Sequence, residues 1–267
     1  MDFGTGSGVA LVGVQPLNSN GRARALEMAR RWNVPLLQDS ATGRAAAGKG
    51  VQVVVSESAI GLSFTDPKKG KPYYADFLSQ AWRLRMQKGL PGSHIFRRAI
   101  GARGGPVSVI DATAGFGQDS VMALCLGCEV TAVEKSSVVL TILRDGVERA
   151  AREDEAARVK LNKLTLIEAD AEIYLQRADA IRAAVIYLDP MFEKPKKSAK
   201  SRKEMELLQD LLAPLPTPTD LERLFAVALD CALQRVVVKR PLKAKALGKT
   251  PTHSFKGQSI RYDVYVK

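Results

Sequence analysis

Short apolar runs alternate with segments of helical periodicity through most of the chain. Runs of strand length lie at residues 107–110, 128–133, 164–169, 183–188 and 235–238, and helical patterns fill intervals such as 121–126, 136–152 and 221–233. Strands that alternate with helices form parallel sheets covered by helices. The pattern therefore predicts an α/β fold with an open, mostly parallel sheet. A closing strand at 259–266 is expected to pair antiparallel with 235–238.

The first 80 residues follow another pattern, which predicts a small separate α/β domain. A helix is expected at 22–32, and strands are expected at 9–14, 51–55, 61–65 and 73–77, with a hairpin-like turn at 66–70. Residues 81–105 are interpreted as a connector with a helix around 94–102, for which Ser93 is a candidate N-cap. We therefore expect domains at 1–80 and 81–267.

A glycine loop follows the strand at 107–110. The segment 111–120 has the sequence DATAGFGQDS, in which Gly115 and Gly117 would allow the backbone to approach a ligand closely. The third glycine of the dinucleotide fingerprint is absent, and Asp119 near the helix start would repel a pyrophosphate. The expected ligand carries a ribose and an adenine but no phosphate, and S-adenosylmethionine meets this description.

The next two strands also end at carboxylates. Glu134 follows Gly115 by about 20 residues, the spacing at which ribose hydroxyls are bound in such folds. Asp170 could accept a hydrogen bond from an adenine amino group. Because the carboxyl ends of parallel strands meet at one edge of a sheet, these carboxylates and the glycine loop are expected to converge there. Taken singly, each could instead be a solvated residue at a strand end.

The tetrapeptide Asp189-Pro190-Met191-Phe192 follows the strand at 183–188. The exocyclic amino group of guanine or adenine is a poor nucleophile, because its lone pair is delocalised into the ring. The Asp189 carboxylate and the Pro190 carbonyl could accept its two hydrogens and localise that lone pair, while Phe192 stacks on the ring. An Asp-Pro pair can also simply initiate a turn, so the catalytic interpretation depends on the neighbouring glycine loop.

The net charge of the chain favours a polyanionic partner. There are 40 basic and 28 acidic residues, a net charge of +12, and RNA is the simplest partner for such an excess. We expect the basic cluster after the tetrapeptide to bind phosphates with steep salt dependence. Its members are Lys194, Lys196, Lys197, Lys200, Arg202 and Lys203. Lys239 and Arg240 are further RNA-binding candidates, or charges at a strand end that meet only solvent.

Several other classes of protein are disfavoured. No run of about 18 apolar residues predicts a membrane span, and no basic segment followed by an apolar one predicts a signal peptide. The three cysteines, Cys125, Cys128 and Cys231, form no even framework, and Cys125 and Cys128 are interpreted as small buried residues of a cytoplasmic protein. With only His94 and His253 and no Cys/His cluster, no metal site is expected.

These motifs resemble one known family, the ribosomal RNA small-subunit methyltransferase J family. The resemblance covers roughly residues 80–267 and lies in DATAGFGQDS, in VEK at 133–135, in YLDPMF at 187–192, in KSAKSRKEM at 197–205 and in VVVKRP at 236–241. It implies a Rossmann-like class I methyltransferase sheet and S-adenosylmethionine as the cofactor. It also implies methylation of the exocyclic N2 atom of one guanosine in 16S rRNA, and hence 16S rRNA or the 30S particle as the partner.

The resemblance also implies which residues contact the cofactor, which would lie across 111–119 from Asp111 onward. By matching motifs, the contacts fall on Gln118, Asp119, Glu134, Lys135, Asp170, Ala171 and Asp189. Gln118 stands where the family usually carries arginine, and Asp170-Ala171 stands where small hydroxylic residues are common. Two alternatives stay open: an N6-adenine methyltransferase acting on RNA or DNA, and a non-catalytic RNA-binding factor of ribosome assembly.

Overall fold

A computed structural model of the 267-residue chain describes residues 11–38, 50–177, 179, 181–190 and 200–267, with the backbone alone for 200–205. The chain divides into two compact units. The first contains the described residues of Met1–Asp76, Thr141–Arg149 and Met191–Leu215, and the second those of Phe77–Leu140, Ala150–Pro190 and Pro216–Lys267. The domain boundary expected near residue 80 stays a prediction.

The described part of the first unit contains a three-stranded sheet. Its strands are β1 (Leu11–Pro16), β2 (Val51–Val55) and β3 (Ile60–Phe64). β1 pairs parallel with β2, and β2 pairs antiparallel with β3. Helix α1 (Arg22–Arg31) lies between β1 and β2 in the chain and buries Ala25 and Ala29. The predicted helix at 22–32 and the predicted strand at 51–55 are thus confirmed.

The predicted strand at 73–77 is wrong. Tyr73 forms only an isolated bridge with Leu62. The next backbone groups that could extend this ladder have other partners: the Ile60 N–H donates to the buried Asp145 carboxylate, and the Ala75 carbonyl accepts from Arg149. Ladder extension would pair these two groups with each other and take them from the buried Asp145 carboxylate and the Arg149 guanidinium, which explains why pairing stops after one bridge.

The second unit is built on a sheet of seven strands in the described part of the chain. They are β4 (Ser108–Asp111), β5 (Glu129–Glu134), β6 (Leu164–Glu168), β7 (Val185–Leu188), β8 (Arg235–Pro241), β9 (His253–Lys256) and β10 (Ile260–Val266). Their spatial order is β6-β5-β4-β7-β8-β10-β9. The strands from β6 to β8 are parallel, and β10 is antiparallel to both β8 and β9. This confirms the predicted parallel sheet and its antiparallel closing strand.

Helices lie between the successive parallel strands β4 to β8. The remaining described helices are α2 (Gln80–Lys88), α3 (Ile95–Ile100), α4 (Gln118–Cys125), α5 (Ser137–Glu153), α6 (Glu155–Leu161), α7 (Ala171–Gln176), α8 (Lys200–Leu211) and α9 (Pro218–Cys231). Ser136 caps α5, and Thr217 forms a capping box with Asp220 at the start of α9. The predicted Ser93 cap is wrong, because the His94 side chain accepts the Phe96 N–H instead.

The core of the second unit lies along β7 and β8. Every residue of β7 is buried, as are Val236, Val237 and Val238 of β8. Such continuous apolar runs are typical of parallel strands covered on both faces. Cys125 and Cys128 are buried thiols, as the sequence indicated. Across the described ranges, no helix combines the length and the apolar character that a membrane crossing requires.

Candidate active site

Four parallel strands bring their carboxyl ends to one edge of the sheet in the second unit. Asp111 at the end of β4 lies in register with Ala132 of β5 and with Tyr187 of β7, and Glu134 at the end of β5 is opposite Glu168 of β6. The segments that follow these strands carry the predicted site residues. This edge is where ligands bind in open α/β sheets.

The glycine loop leads from β4 into α4. Gly115 and Gly117 have φ values of 53° and 76°, which lie in the left-handed region that side-chain-bearing residues rarely adopt. Gly117 is the N-cap of α4, and the Gly115 N–H donates to Glu134 Oε2 at 2.9 Å. The turn therefore depends on both glycines and is attached to the end of the neighbouring strand.

Glu134 joins the glycine loop to the start of α5. Its side chain is buried, with 8% exposure, and Oε1 accepts the Ser136 N–H at 2.8 Å while Oε2 accepts the Gly115 N–H. Burial raises the pKa of Glu134, and the two N–H donors oppose that shift. A carboxylate can accept about four hydrogen bonds, so Glu134 retains capacity for ribose hydroxyls.

Asp170 and Lys135 follow the ends of β6 and β5. Asp170 is the N-cap of α7 and accepts the N–H groups of Glu172 and Ile173, and its Oδ2 pairs with Lys135 Nζ at 3.2 Å. Burial would raise the pKa of Asp170, but Lys135 and the helix N–H donors lower it below its usual value. Ala171 is the first residue of α7. The two predicted cofactor contacts Lys135 and Asp170 thus form one ion pair at the expected edge.

Asp111 is almost fully buried, with 2% exposure, beneath the glycine loop. Its Oδ1 accepts the Thr113 N–H at 3.2 Å, and its Oδ2 accepts the Ser120 hydroxyl at 2.5 Å. Burial, opposed by the Ser120 hydrogen bond, raises the pKa of Asp111 to about 7. The side chain joins the start of the loop to α4 and holds the loop in place, and its contact with the cofactor stays a prediction.

This environment predicts a pH-dependent effect of Asp111→Asn on stability. A carboxyl whose pKa rises from 3.8 to about 7 on folding destabilises the folded protein as the pH rises through that interval. Asparagine cannot ionise, so the melting temperature of the variant relative to the wild type should increase between about pH 5 and pH 8, with a free-energy change of at most about 3 kcal/mol. Thermal unfolding followed by circular dichroism at both pH values measures this, and a difference that does not vary with pH would contradict it.

Asp189 lies directly after β7 and belongs to a charged cluster. Its N–H donates to Thr113 Oγ1 at 2.6 Å, and its Oδ2 accepts from Lys239 Nζ at 2.8 Å. The same ammonium donates to Asp119 Oδ2 at 2.8 Å, and the Tyr187 hydroxyl donates to that oxygen at 2.6 Å. The predicted catalytic carboxylate is therefore connected to the start of α4, where Asp119 lies.

In this cluster the attraction between opposite charges offsets the cost of burying them. Burial raises the pKa of Asp189, and the Lys239 ammonium opposes that rise. Burial would lower the pKa of Lys239, but Asp189 and Asp119 outweigh it and hold this pKa well above its usual value. Burial and the two carboxylates raise the pKa of Tyr187 well above its usual value, so it remains a hydrogen-bond donor.

The other predicted residues have varied placements. Phe192, Lys194, Lys196 and Lys197 lie outside the described residues, and Lys200, Arg202 and Lys203 belong to α8, of which only the backbone is described there. Gln118 is exposed at the start of α4, and Pro190 is buried. Arg240 is 8% exposed, and its guanidinium donates to the Lys245 carbonyl, a placement that does not favour phosphate contact. Among the residues that the structure describes, no acidic, Cys or His group could hold a metal ion.

Sequence reasoning missed Thr113 and Tyr187 as members of the site and assigned Lys239 to RNA binding instead. Thr113 accepts the Asp189 N–H, Tyr187 bonds to Asp119, and Lys239 joins Asp119 to Asp189. A signal for Lys239 existed, because it follows a buried strand and therefore lies at the same sheet edge as Asp189. Tyr187 is a polar exception in an otherwise aliphatic strand, which also marks it.

Comparison with known proteins identifies the class. The family described as "Putative SAM-dependent methyltransferase" matches residues 36–267. A solved SAM-dependent methyltransferase from Neisseria gonorrhoeae has the same fold, with a TM-score of 0.69 and 23% identity over 95% of both chains. This chain is thus a class I S-adenosylmethionine-dependent methyltransferase, and S-adenosylmethionine is its cofactor.

Curated relatives narrow the assignment. Ribosomal RNA small subunit methyltransferase J from Thioalkalivibrio sulfidiphilus is 36% identical over 92% of this chain and 93% of that protein. Proteins of the same name from Coxiella burnetii and Stutzerimonas stutzeri are 36% and 35% identical, and cover 91% and 97% of this chain and 92% and 96% of their own lengths. The chain belongs to the ribosomal RNA small subunit methyltransferase J family, which confirms the resemblance in its motifs.

The described residues at the sheet edge fit this cofactor. Gly115 and Gly117 have left-handed backbone and no side chains, so a ligand can approach the loop closely at these two positions. Glu134 retains acceptor capacity for ribose hydroxyls. Asp119 and Asp189 place negative charge at the same edge, which suits a cationic sulfonium and disfavours a phosphate. The roles of the individual residues stay predictions.

Proposed function

We propose that the protein transfers the methyl group of S-adenosylmethionine to the exocyclic N2 atom of one guanosine in 16S rRNA. The observation that supports this best is the Asp189 carboxylate, which follows β7 at the sheet edge beside the glycine loop, with 33% of its side chain exposed. The relatives are named as small-subunit rRNA methyltransferases. The net charge of +12 suits an RNA partner, either the naked rRNA or the 30S particle, in the cytoplasm.

The target amino group needs acceptors for both of its hydrogens. Asp189 Oδ2 is held by Lys239, and we assign Oδ1 as one acceptor. The Pro190 carbonyl is the second acceptor, and Phe192 stacks on the ring. The guanosine must leave its base stack to reach this site, since N2 is shielded inside a helix.

Orientation of the two reactants accounts for most of the rate. S-adenosylmethionine supplies a methyl group on a positively charged sulfur. The amino nitrogen would attack the methyl carbon in line with the carbon–sulfur bond, and the sulfur is the leaving group. The glycine loop and Glu134 would position the ribose, Asp170 and Lys135 would hold the adenine end, and Asp189 would align the amino nitrogen. Alignment of two bound reactants contributes up to roughly 7–11 kcal/mol.

The remaining chemistry is one proton transfer. When the nitrogen–carbon bond forms and the carbon–sulfur bond breaks, the nitrogen becomes positively charged and acidic. One of its protons then passes to Asp189, with which it is already hydrogen-bonded, and from there to solvent. A strong base is not required, because the proton leaves only as the new bond forms.

The proposed function predicts the modified nucleoside. The purified protein should transfer labelled methyl groups from S-adenosylmethionine to 30S particles or 16S rRNA from cells that lack this protein. After digestion to nucleosides, mass spectrometry should then find the label in N2-methylguanosine. rRNA from cells that retain the protein is the control, because its target is already methylated and should accept little label.

Two other results would overturn the proposal in different ways. Methylation that appears as N6-methyladenosine would identify an adenine methyltransferase, because the Asp-Pro-x-Phe chemistry suits either base. A protein that binds rRNA without binding S-adenosylmethionine in calorimetry would be a non-catalytic assembly factor.

A further inference from the structure

The position of Lys239 differs from that of a phosphate contact on the surface. It lies in β8, one residue beyond Val238, which pairs in register with Leu188 of β7. This places Lys239 beside Asp189 at the carboxyl edge of the sheet. Its Nζ lies 2.8 Å from an oxygen of Asp189 and 2.8 Å from an oxygen of Asp119.

The charges of this cluster argue against release of Lys239 to RNA. The lysine side chain is 26% exposed, and both of its ion pairs are with carboxylates that are themselves largely shielded, with 12% exposure for Asp119 and 33% for Asp189. If the ammonium moved to a phosphate, two neighbouring carboxylates would lose their shared counter-charge. Partly buried charges that lose their partner are strongly destabilised.

We propose that Lys239 is a positioning residue for methyl transfer, which holds Asp189 ionised, fixes its Oδ2 atom and leaves Oδ1 to accept the amino hydrogen of the target base. Because the same ammonium binds Asp119 at the start of α4, it also links the turn that receives the base to the helix that follows the cofactor loop. This role rests on the proposed function.

The surroundings of Asp189 explain why an ammonium is needed there. Among the residues that the structure describes, the charged and titratable groups that face it are Asp119 of α4, Asp111 of β4, Tyr187 of β7, Lys239 of β8 and Tyr262 of β10. Lys239 is the cation in this set, and the two other carboxylates and burial all favour the protonated form of Asp189. A protonated Asp189 would present a hydroxyl donor to an amino group that requires acceptors.

Kinetics can separate positioning from RNA binding. In Lys239→Met, kcat for methylation of 30S particles at neutral pH should fall by about 100-fold, with KM for the RNA within about threefold of the wild type. The remaining rate should increase with pH, and the midpoint of this pH–rate profile should lie at a higher pH than in the wild type. The same substitution at the exposed Lys243 is the matched control and should leave kcat unchanged.

A second measurement does not depend on activity. The side-chain carboxyl carbon of Asp189, assigned by its loss in Asp189→Asn, is titrated by NMR in the protein without ligands. Its midpoint should rise by about one pH unit or more in Lys239→Met and return toward the wild-type value in Lys239→Arg, since one unit reflects about 1.4 kcal/mol of charge interaction. Lys239→Gln is the substitute if Lys239→Met does not fold.

The outcomes distinguish the two proposals. A raised KM with normal kcat would make Lys239 a phosphate contact, and an unchanged Asp189 titration would refute the positioning role. If wild-type protein itself methylates no RNA, the proposed function fails, and the NMR titration still decides whether Lys239 sets the charge of Asp189.

Discussion

Asp189→Ala should lower kcat for methyl transfer by about 1,000-fold, because loss of one preorganised polar group at a reacting centre costs about 10²–10³-fold. The variant loses the carboxylate that accepts an amino hydrogen and later the proton, and it also leaves Lys239 with Asp119 as its described partner. Affinity for S-adenosylmethionine should be reduced but measurable, since the glycine loop and Glu134 remain. Single-turnover methylation of 30S particles and calorimetry with the cofactor measure the two effects separately.

Asp189→Asn is the matched variant. Its amide oxygen can still accept one amino hydrogen, but the side chain carries no charge for Lys239 and cannot take up the proton. We therefore expect a smaller loss of kcat than in Asp189→Ala. Wild-type turnover in the alanine variant would show that the carboxylate at this position does not act on the target base, and the proposed catalytic assignment would fail with it.

Glu134→Gln should weaken cofactor binding by about 10- to 100-fold, because an amide cannot accept both N–H groups that the carboxylate now holds, and an unpaired buried N–H costs about 1–3 kcal/mol. The two donors are Gly115 in the loop and Ser136 at the cap of α5. One of these two N–H groups would face the NH₂ group of the glutamine. Either the loop would have to move, or that N–H would remain without an acceptor. Calorimetric titration with S-adenosylmethionine measures the dissociation constant.

The neighbouring strand offers the control for this prediction. Glu168 ends β6, pairs in register with Glu134 and is exposed. Glu168→Gln is the same chemical change at the same sheet edge, and the cofactor dissociation constant should stay close to that of the wild type. Equal affinities for wild type and Glu134→Gln would show that Glu134 neither holds the loop nor binds the ribose.

Much of this architecture could be predicted because its signals are local. Apolar runs at 107–110, 128–133, 164–169 and 183–188 predicted parallel strands, and the carboxyl ends of parallel strands meet at one edge whatever the rest of the chain does. The placement of the glycine loop and of Glu134, Asp170 and Asp189 at that edge follows from this rule. The short strand β9, with the polar sequence HSFK, carries too little pattern to be recognised.

Both failures arose where another side chain competed for a backbone group. The predicted strand at 73–77 is replaced by a single bridge because Asp145 and Arg149, far along the chain, take the N–H of Ile60 and the carbonyl of Ala75. No local propensity of the segment reports such partners. At Ser93 the competitor is local, because the imidazole of the next residue, His94, caps the helix instead.

The order of residues was enough to establish the α/β class, the glycine loop and the sheet edge that carries the carboxylates, since periodicity and strand direction are properties of contiguous segments. The tertiary structure decided which charges meet. Asp119 and Lys239 are 120 residues apart and Asp189 and Lys239 are 50 residues apart, yet both pairs lie 2.8 Å apart. The register of β7 with β8 brings Lys239 to Asp189, and the pairing of β4 with β7 brings the start of α4, with Asp119, to the same place. Charge interactions depend on distance through space, and that distance is set by packing and register rather than by separation along the chain.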